Sequence, residues 1–270
     1  MNIAEVDHET GRAGSASPNL PVITLLTDFG TADYFVGAVK GAILSVNPNV
    51  VIVDITHEIP PQDIETGAFT LLAAYKTFPR GTIHVAVVDP GVGSSRRPII
   101  VKANDQFFVG PDNGLFTYIY DREPSHRTFH VTASEYFRPN PSSTFHGRDI
   151  FAPVAAALST GVTPEKFGPE INDKVRLPSL ETPLRIIHID HFGNCVTNIS
   201  RERFERNSLS INGRTISAFR NFYGEAFAGE IFAIWGSAGF LEISVKGGSA
   251  AQILGAKRGD AISRLWDEGR

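Results

Sequence analysis

The chain has 270 residues, 42% of them hydrophobic, a formal net charge of −4 and a sequence pI near 6.1. This composition is typical of a globular protein with a sizeable core, and the sequence lacks the runs of like charge that mark nucleic-acid or anionic-membrane binders. We therefore expect a small-molecule partner, with no nucleic acid and no membrane.

Three features of the sequence bear on its compartment. The only cysteine is Cys195, which excludes an intramolecular disulfide and a thiolate metal site built from this chain alone, and which fits a cytoplasmic protein. Residues 1–20 are small and polar, without the apolar core of a signal peptide, and we interpret them as a flexible leader. No uninterrupted apolar segment reaches the roughly 18 residues of a transmembrane helix.

Residues 21–178 alternate short β-branched runs with longer stretches of helical periodicity. The runs predict strands at 22–26, 50–55 and 82–89, helices at 32–46, 63–78 and 149–161, and a hairpin formed by 98–103 and 106–110. Because strands separated by helices pair in parallel, we predict an α/β domain, a mostly parallel sheet with helices on both faces.

The pattern changes downstream, where short alternating runs are separated by glycine and asparagine turns such as Asn212-Gly213. The predicted strand runs are 184–190, 208–211, 215–219, 231–237, 239–245 and 251–256. We therefore predict a second, smaller all-β domain, residues 184–266, as a barrel or sandwich of five or six strands.

Three aspartates follow the first predicted strands, at the edge where parallel sheets bind ligands. Asp28, Asp54 and Asp89 each have a structural alternative as a helix N-cap or Asx-turn residue, which we adopt for Asp54. Asp28 is a candidate for accepting hydrogen bonds from the vicinal hydroxyls of a nucleoside, as the ribose-binding acid of dinucleotide sites does.

The loop DPGVGSSRR, residues 89–97, connects an acid at a strand end to an arginine. It lacks the lysine and hydroxyl residue of a phosphate-binding P-loop, and its two glycines are too few to indicate a dinucleotide fold. Arg96 favours an ionised Asp89 and orients its carboxylate, which is useful in catalysis. The alternative is an ion pair that only holds the loop together.

The segment STFHGRDIFAP, residues 143–153, places His146 just before a predicted helix, among turn residues typical of the rim of a site. Arg148 and Asp149 are interpreted as helix-terminal charges or an ion pair. His188 and His191 are three apart on a predicted strand and point to opposite faces, so we predict no metal site there.

Six motifs in order together resemble the S-adenosyl-L-methionine (SAM) hydroxide adenosyltransferases, which are related to the fluorinating and chlorinating enzymes. The motifs are TDFG, DPGVGSSRR, PDNGLF, TFHGRDIFAPVAA, DHFGNCVTNI and GSAGFLEISVKGGSAA. The resemblance implies an N-terminal α/β domain, a C-terminal β-barrel, and a homotrimer that binds substrate between the N-terminal domain of one subunit and the C-terminal domain of its neighbour.

The reaction that the resemblance implies is hydrolysis of SAM to adenosine and L-methionine, with SAM as substrate and no cofactor. The family's catalytic set matches Asp89, Arg96 and His146; Asp89 and His146 both stay open as the base that takes the proton from water. Halogenating relatives carry tyrosine at the first of these positions and no histidine at the last, which argues against the alternative of a SAM-dependent halogenase. A non-catalytic adenosine or SAM sensor is the other alternative.

Seven further positions resemble residues that hold the substrate in this family. For each, the alternative is a purely structural role as a turn, loop or strand residue. By resemblance, Asp28 contacts the ribose and Asp33 the amino-acid end of the substrate. The pair Asp190 and Asn194 contacts the methionine amine and the nucleoside, and Ser237 contacts the methionine carboxylate. Tyr223 contacts the adenine ring, and the main chain near Val245 contacts the adenine edge.

Two departures from the family pattern concern the methionine moiety. Gly236 stands where the family often has asparagine, and Phe35 replaces a small polar residue of the halogenases. These differences affect the fit of methionine more than the type of reaction.

Overall fold

The computed structural model describes residues 20–204 and 207–265. Of the predicted leader, residues 1–20, only Leu20 belongs to this part; the rest lies outside the described residues. Among the described helices, none combines the length and the apolar character needed to cross a membrane.

A mixed sheet of seven strands forms the first half of the molecule, in the order β2-β1-β3-β5-β4-β6-β7. Strand β1 pairs in parallel with β2 and β3, and β3 with β5, whereas β4, β6 and β7 pair antiparallel. The strands are β1 Val22–Thr27, β2 Val51–Thr56, β3 Ile83–Val87, β4 Pro98–Ala103, β5 Gln106–Pro111, β6 Arg127–His130 and β7 Glu170–Ile171. The predicted parallel strands and the hairpin are confirmed.

Helices cover both faces of this sheet. They are α1 Phe35–Val46, α2 Ile64–Ala74, α3 Thr117–Arg122 and α4 Ala152–Ser159. Alternation along β1 divides the core, because Ile23 and Leu25 belong to the apolar cluster containing α1 and α4 residues, whereas Leu26 belongs to the cluster containing α2 and α3 residues. This is the layered α/β architecture that the sequence predicts.

Helix boundaries differ from the predicted ones by a few residues. Helix α1 begins at Phe35 rather than at residue 32, and α2 ends at Ala74, where a single 3₁₀ turn, Tyr75–Thr77, replaces the last predicted turn. The start of α2 is fixed by Asp63, whose Oδ1 accepts a hydrogen bond from the Thr66 main-chain N–H at 3.1 Å.

The segment after His146 is not a regular α-helix at first. Residues Gly147–Phe151 form a π-helical turn that continues directly into α4. Such turns are rare and occur frequently at functional sites. His146 therefore lies at the N-terminal end of an irregular turn.

The second half of the chain forms two antiparallel sheets, β12-β13-β9-β8 and β11-β10-β14. The strands are β8 Ile186–Ile189, β9 Cys195–Ser200, β10 Ser208–Ile211, β11 Arg214–Ile216, β12 Ile231–Trp235, β13 Phe240–Val245 and β14 Ser263–Leu265. The all-β character is confirmed, but the described part of the chain has seven strands here rather than five or six, in two sheets rather than a closed barrel.

The prediction of a strand at 251–256 is wrong, because Ala250–Leu254 form helix α5. Ser249 caps its first turn by accepting from the Gln252 N–H at 3.2 Å, and Gly255 ends it in the left-handed conformation at φ +57°. Both capping signals are visible in the sequence, but the apolar alternation outweighed them.

Arginines of the second half fasten it to helix α2. Arg185 Nη2 lies 2.9 Å from Glu65, and Arg258 lies 2.8 Å from Glu65 and 2.7 Å from Asp63. The division into domains at residues 21–178 and 184–266 stays a prediction.

Candidate active site

A cavity of about 420 Å³ opens where β1 and β3 end. Asp28, Asp89 and His146 all line it, together with a wall of aromatic and small residues. The first two follow neighbouring parallel strands, whereas His146 is contributed by a distant segment that packs over the same edge. Three polar side chains that are far apart in the sequence therefore line the same cavity.

Asp89 and Arg96 form a buried ion pair across their loop. Arg96 Nε donates to both carboxylate oxygens of Asp89 at 3.0 Å, and Arg96 Nη2 also donates to Oδ2. Only 4% of the Asp89 side chain and 8% of the Arg96 side chain are exposed. This charge-assisted contact fixes the orientation of the carboxylate beside the cavity.

The same arginine reaches His146. Arg96 Nη2 lies 2.8 Å from His146 Nδ1. Because a guanidinium group has donors and no acceptor, Nδ1 must accept in this contact, and the proton of the neutral ring is on Nε2. Burial and then the nearby Arg96 charge lower the pKa of His146, which favours the neutral ring.

Arg96 retains one donor for a further contact. Its Nη1 atom is buried without a hydrogen-bond partner among the described residues. The guanidinium plane lies over the Phe151 ring, 5.1 Å from its centroid. The Arg96 side chain therefore contacts three different neighbours, Asp89, His146 and Phe151, while its Nη1 atom has no hydrogen-bond partner among the described residues.

Gly93 explains how the loop of Asp89 meets the segment of His146. It adopts φ +79°, and a Cβ atom built on it would lie 2.2 Å from the carbonyl oxygen of Ser143. Within the loop, the Val92 N–H donates to the Asp89 carbonyl at 3.2 Å, and Ser94 Oγ donates to the Gly91 carbonyl at 2.6 Å. A side chain at position 93 would separate the two segments.

Asp28 and Asp54 have different surroundings despite their similar sequence context. Asp28 lines the cavity, and its Oδ2 accepts from the Gln62 main-chain N–H at 2.8 Å. Asp54 instead forms an ion pair with Lys40 at 2.6 Å, and its Oδ1 lies 3.2 Å from His57 Nε2, outside the cavity lining. Asp54 thus has a structural role, although as an ion-pair partner rather than a helix cap.

Three aromatic rings form one wall of the cavity, and the sequence interpretation singled out only one of them, Phe35. Phe29 and Phe145 have ring centroids 5.8 Å apart, and Phe35 lies 6.0 Å from the first and 5.3 Å from the second. Two of them directly follow or precede a candidate residue, Phe29 after Asp28 and Phe145 before His146, which is the signal that could have identified them.

A second, more open cleft of about 750 Å³ lies in the all-β half. It contains five of the predicted substrate-binding positions: Asp190, Asn194, Tyr223, Ser237 and Val245. Other residues of the lining are Phe192, Trp235, Gly236, Glu242, Gly247 and Gly248, which sequence reasoning assigned to no function.

Asp190 organises the turn between β8 and β9. Its Oδ1 accepts from the N–H groups of Phe192 at 2.9 Å and Asn194 at 2.8 Å, and its Oδ2 accepts from Asn194 Nδ2 at 2.8 Å. Gly193 lies so close to Ser249 that a Cβ atom would come within 2.0 Å of the serine Oγ. The turn is thereby packed against the start of α5.

The two clefts have no lining residue in common. Asp33 lines neither of them and is exposed just before α1. His188 stacks on Phe69 at 5.0 Å between centroids. Across residues 20–204 and 207–265, no three or more His, Cys, Asp or Glu side chains form a group suited to a metal ion.

Family models match both halves of the chain. The SAM hydroxide adenosyltransferase N-terminal domain matches residues 23–168, and the C-terminal domain of the same family matches residues 184–263. The chain belongs to the SAM hydroxide adenosyltransferase family. The predicted resemblance is thus confirmed.

Some relatives of this chain are named SAM hydrolases, and others are named fluorinases. A protein named (R)-S-adenosyl-L-methionine hydrolase from Thermus thermophilus is 38% identical over 90% of this chain and 99% of its own length. One with the same name from Methanocaldococcus jannaschii is 37% identical over 92% of this chain and 97% of its own length. A protein named fluorinase from Nocardia brasiliensis is 30% identical over 69% of this chain and 73% of its own length.

Solved structures of similar proteins share the fold of this chain. An uncharacterized conserved protein from Thermotoga maritima has a TM-score of 0.84 at 36% identity, over 89% of this chain and 98% of its own. A conserved hypothetical protein from Thermus thermophilus has a TM-score of 0.77 at 37% identity, over 91% of this chain and 100% of its own.

Proposed function

We propose that this protein hydrolyses SAM to adenosine and L-methionine. The observation that carries the proposal is the buried network of Asp89, Arg96 and His146, which faces a cavity also lined by Asp28. It stands in a chain whose relatives over about nine-tenths of its length are named SAM hydrolases.

In the proposed reaction a water oxygen attacks C5′ of the ribose while the C5′–S bond breaks. The sulfonium leaves as the neutral thioether of methionine, taking the bonding electron pair, so the leaving group needs no proton and no metal or other cofactor. The only proton to be moved is the one that the attacking water loses. The residues around the cavity therefore have to hold the water and accept its proton.

From their hydrogen bonds we infer different roles for Asp89 and His146. Because His146 Nδ1 accepts from Arg96, its Nε2–H is available as a donor that holds the water oxygen. Asp89 is then the group that accepts the proton of the water, and the Arg96 donors hold its carboxylate in position. Fixed orientation and exclusion of bulk water provide further acceleration.

The charge of Arg96 alone would oppose a cationic substrate. The sulfonium is positive in the ground state, and a guanidinium beside it would repel it. Asp89 neutralises Arg96 at close range, so the pair presents no net charge to the substrate. We therefore expect that loss of either member of the pair weakens the reaction.

The substrate-binding assignments are part of the same proposal. In this proposal Asp28 accepts hydrogen bonds from the ribose hydroxyls in the first cavity, and Asp33, which is exposed, contacts the amino-acid end of the substrate. The second cleft holds the adenine and methionine ends through Asp190, Asn194, Tyr223, Ser237 and the Val245 main chain.

We further propose a cytoplasmic homotrimer in which the first cavity of one subunit faces the second cleft of its neighbour. Apolar residues that are unusually exposed in the single chain support a subunit contact: Phe192 is 75% exposed and Tyr34 67%. Phe192 lines the second cleft, and Tyr34 directly precedes Phe35 of the first cavity. The division into domains at 21–178 and 184–266 matches this sharing.

Subunit mixing tests the shared site. We expect Asp89→Asn and Asp190→Ala proteins, each weakly active alone, to regain activity when unfolded together and refolded. A random trimer combines an intact first cavity with an intact second cleft in about a quarter of its sites. Light scattering checks for three copies of the 29.3 kDa chain. No recovery from mixed trimers would place both clefts of each site in one chain.

Product analysis tests the reaction itself. Purified protein is incubated with SAM, with and without chloride or fluoride, and the nucleosides are separated by chromatography. Adenosine in every condition is the expected result. A 5′-halo-5′-deoxyadenosine product would make the protein a halogenase, and binding of SAM without any product would make it a sensor.

A further inference from the structure

Glu242 is a carboxylate in the second cleft to which neither the family resemblance nor the proposed reaction gives a role. It lies on β13, the strand between β12 and β9. Its cross-strand neighbours are Ile234 on β12 and Val196 on β9, both almost fully buried. An acid between two apolar neighbours at the middle of a sheet is unfavourable unless something compensates its charge.

The described residues provide few partners for the Glu242 carboxylate. Within the described part of the chain, no Lys, Arg or His side chain forms an ion pair with Glu242, and its one hydrogen bond is a long one, 3.5 Å from the Tyr223 hydroxyl. Asp190, also negative, lines the same cleft. Burial and then the Asp190 charge raise the pKa of Glu242, as expected for a carboxylate without a cationic partner.

Gly236 makes room for this carboxylate. A Cβ atom built on Gly236 would lie 1.7 Å from Glu242 Oε1, so any other residue at this position would displace the carboxyl group. The next residue, Ser237, also lines the cleft. A carboxylate and a hydroxyl group are thus adjacent on one wall, with a second carboxylate, Asp190, in the same lining.

We propose that Glu242 is a substrate-specificity residue that, together with Asp190, binds the ammonium group of the methionine moiety of SAM. This inference rests on the proposed function and adds a residue to its site. An ammonium group carries both a full positive charge and three N–H donors, enough to bridge two carboxylates. The sulfonium has no N–H group, and the adenine amine has no charge, so neither satisfies both carboxylates.

The adjacent hydroxyl completes an amino-acid site. The methionine carboxylate is attached to the same carbon as the ammonium group, and Ser237 lies next to Gly236, over which the Glu242 carboxyl group lies. A hydroxyl can donate to the substrate carboxylate while the two acids accept from the ammonium. The cleft then distinguishes an amino acid from an uncharged group of similar size.

The test compares Glu242→Gln with wild type on three probes that differ in charge. SAM has both the ammonium and the sulfonium, S-adenosyl-L-homocysteine has the ammonium but a neutral sulfur, and adenosine has neither. We expect the KM for SAM and the Kd for S-adenosyl-L-homocysteine to rise about ten- to a hundredfold. We expect kcat and the Kd for adenosine to change by no more than about twofold.

Two further variants control for charge and for position. Glu202→Gln removes a glutamate charge from an exposed position of the same half, outside this cleft, and should leave all three probes unaffected. Gly236→Ala keeps every charge but pushes the Glu242 carboxyl aside, and should weaken SAM and S-adenosyl-L-homocysteine by about tenfold without weakening adenosine.

Each other outcome overturns the inference. Unchanged affinities in Glu242→Gln would mean that the carboxylate binds no ligand, and equal losses for all three probes would make it structural. A loss for SAM alone would assign it to the sulfonium. Wild-type protein that binds S-adenosyl-L-homocysteine without turning over SAM refutes the proposed hydrolysis but leaves the Glu242 comparison intact, and wild-type protein that binds no probe refutes both.

Discussion

The two clefts of this protein satisfy their polar groups in opposite ways. In the first, Asp89 receives three hydrogen bonds from Arg96, which also binds His146, and the pair is almost completely buried. In the second, Glu242 has one long contact, and Phe192 is mostly exposed. The Asp89–Arg96–His146 network of the first cleft forms within the single chain, whereas the second cleft has a carboxylate with one long contact and an exposed apolar side chain.

This difference indicates a division of labour between the halves. Groups that take part in a chemical step have to be held in position before substrate arrives, and buried mutual hydrogen bonds achieve this. Groups that recognise a charged substrate must stay unpaired until it binds. We therefore expect variants of Asp89, Arg96 and His146 to change turnover and variants of the second cleft to change affinity.

The largest expected effect is on turnover in Asp89→Asn. The amide preserves the shape but removes the proton acceptor and leaves a buried Arg96 charge unpaired. We expect kcat to fall by at least about a thousandfold and the Kd for adenosine to stay within about threefold. Steady-state kinetics and calorimetry measure the two quantities.

A fall in stability accompanies this change. Removing one partner of a buried ion pair costs about 3–5 kcal/mol, so the melting temperature of Asp89→Asn should drop. The assay must therefore be run well below that temperature. A variant that is folded and turns over SAM within tenfold of wild type would remove Asp89 from the chemical step.

A smaller loss is expected in His146→Ala. In the proposed reaction the His146 ring holds the water rather than taking its proton, so we expect kcat to fall by about a hundredfold while substrate affinity changes little. His146→Gln retains an N–H donor and should keep more activity than the alanine variant. Single-turnover and binding measurements separate these effects, and equal losses of turnover and affinity would make His146 structural.

More of the first cleft than of the second could be predicted from the sequence. Asp89 and Arg96 belong to one loop after a strand, and the edge of a parallel sheet is a known place for ligands. The sequence could not reveal that one guanidinium links Asp89 to His146, because that contact spans 50 residues and depends on a close approach at Gly93.

The second cleft was predictable only in part, and only through the family resemblance. Glu242 has an unremarkable sequence context, FLEISV, and becomes distinctive only when its apolar cross-strand neighbours are known. The misassigned strand at 251–256 has a similar cause, because local alternation does not indicate which cap residues will be used. Antiparallel pairings between distant segments carry little local signal.

The smallest expected effect is a shift in the pH dependence of kcat, which we assign to His146 of the first cleft. Burial and the Arg96 charge lower the pKa of His146 below its ordinary value of 6.5, whereas Asp89 and Asp149 oppose them. The ring therefore stays neutral in the folded protein at a pH where a free histidine is half protonated. We expect kcat, measured at saturating SAM, to fall on the acid side with a midpoint below pH 6.5.

The lowered pKa of His146 also makes the stability of the folded protein depend on pH. The unfolded chain takes up the proton first, so the contribution of neutral His146 to folding is complete above pH 6.5 and declines as the pH falls below it. Because other buried histidines also have lowered pKa values, the decisive control is kinetic. The fall in activity at acid pH should be absent from the residual activity of His146→Gln. If that variant shows the same fall, or if the wild-type midpoint lies above pH 6.5, another group controls the reaction.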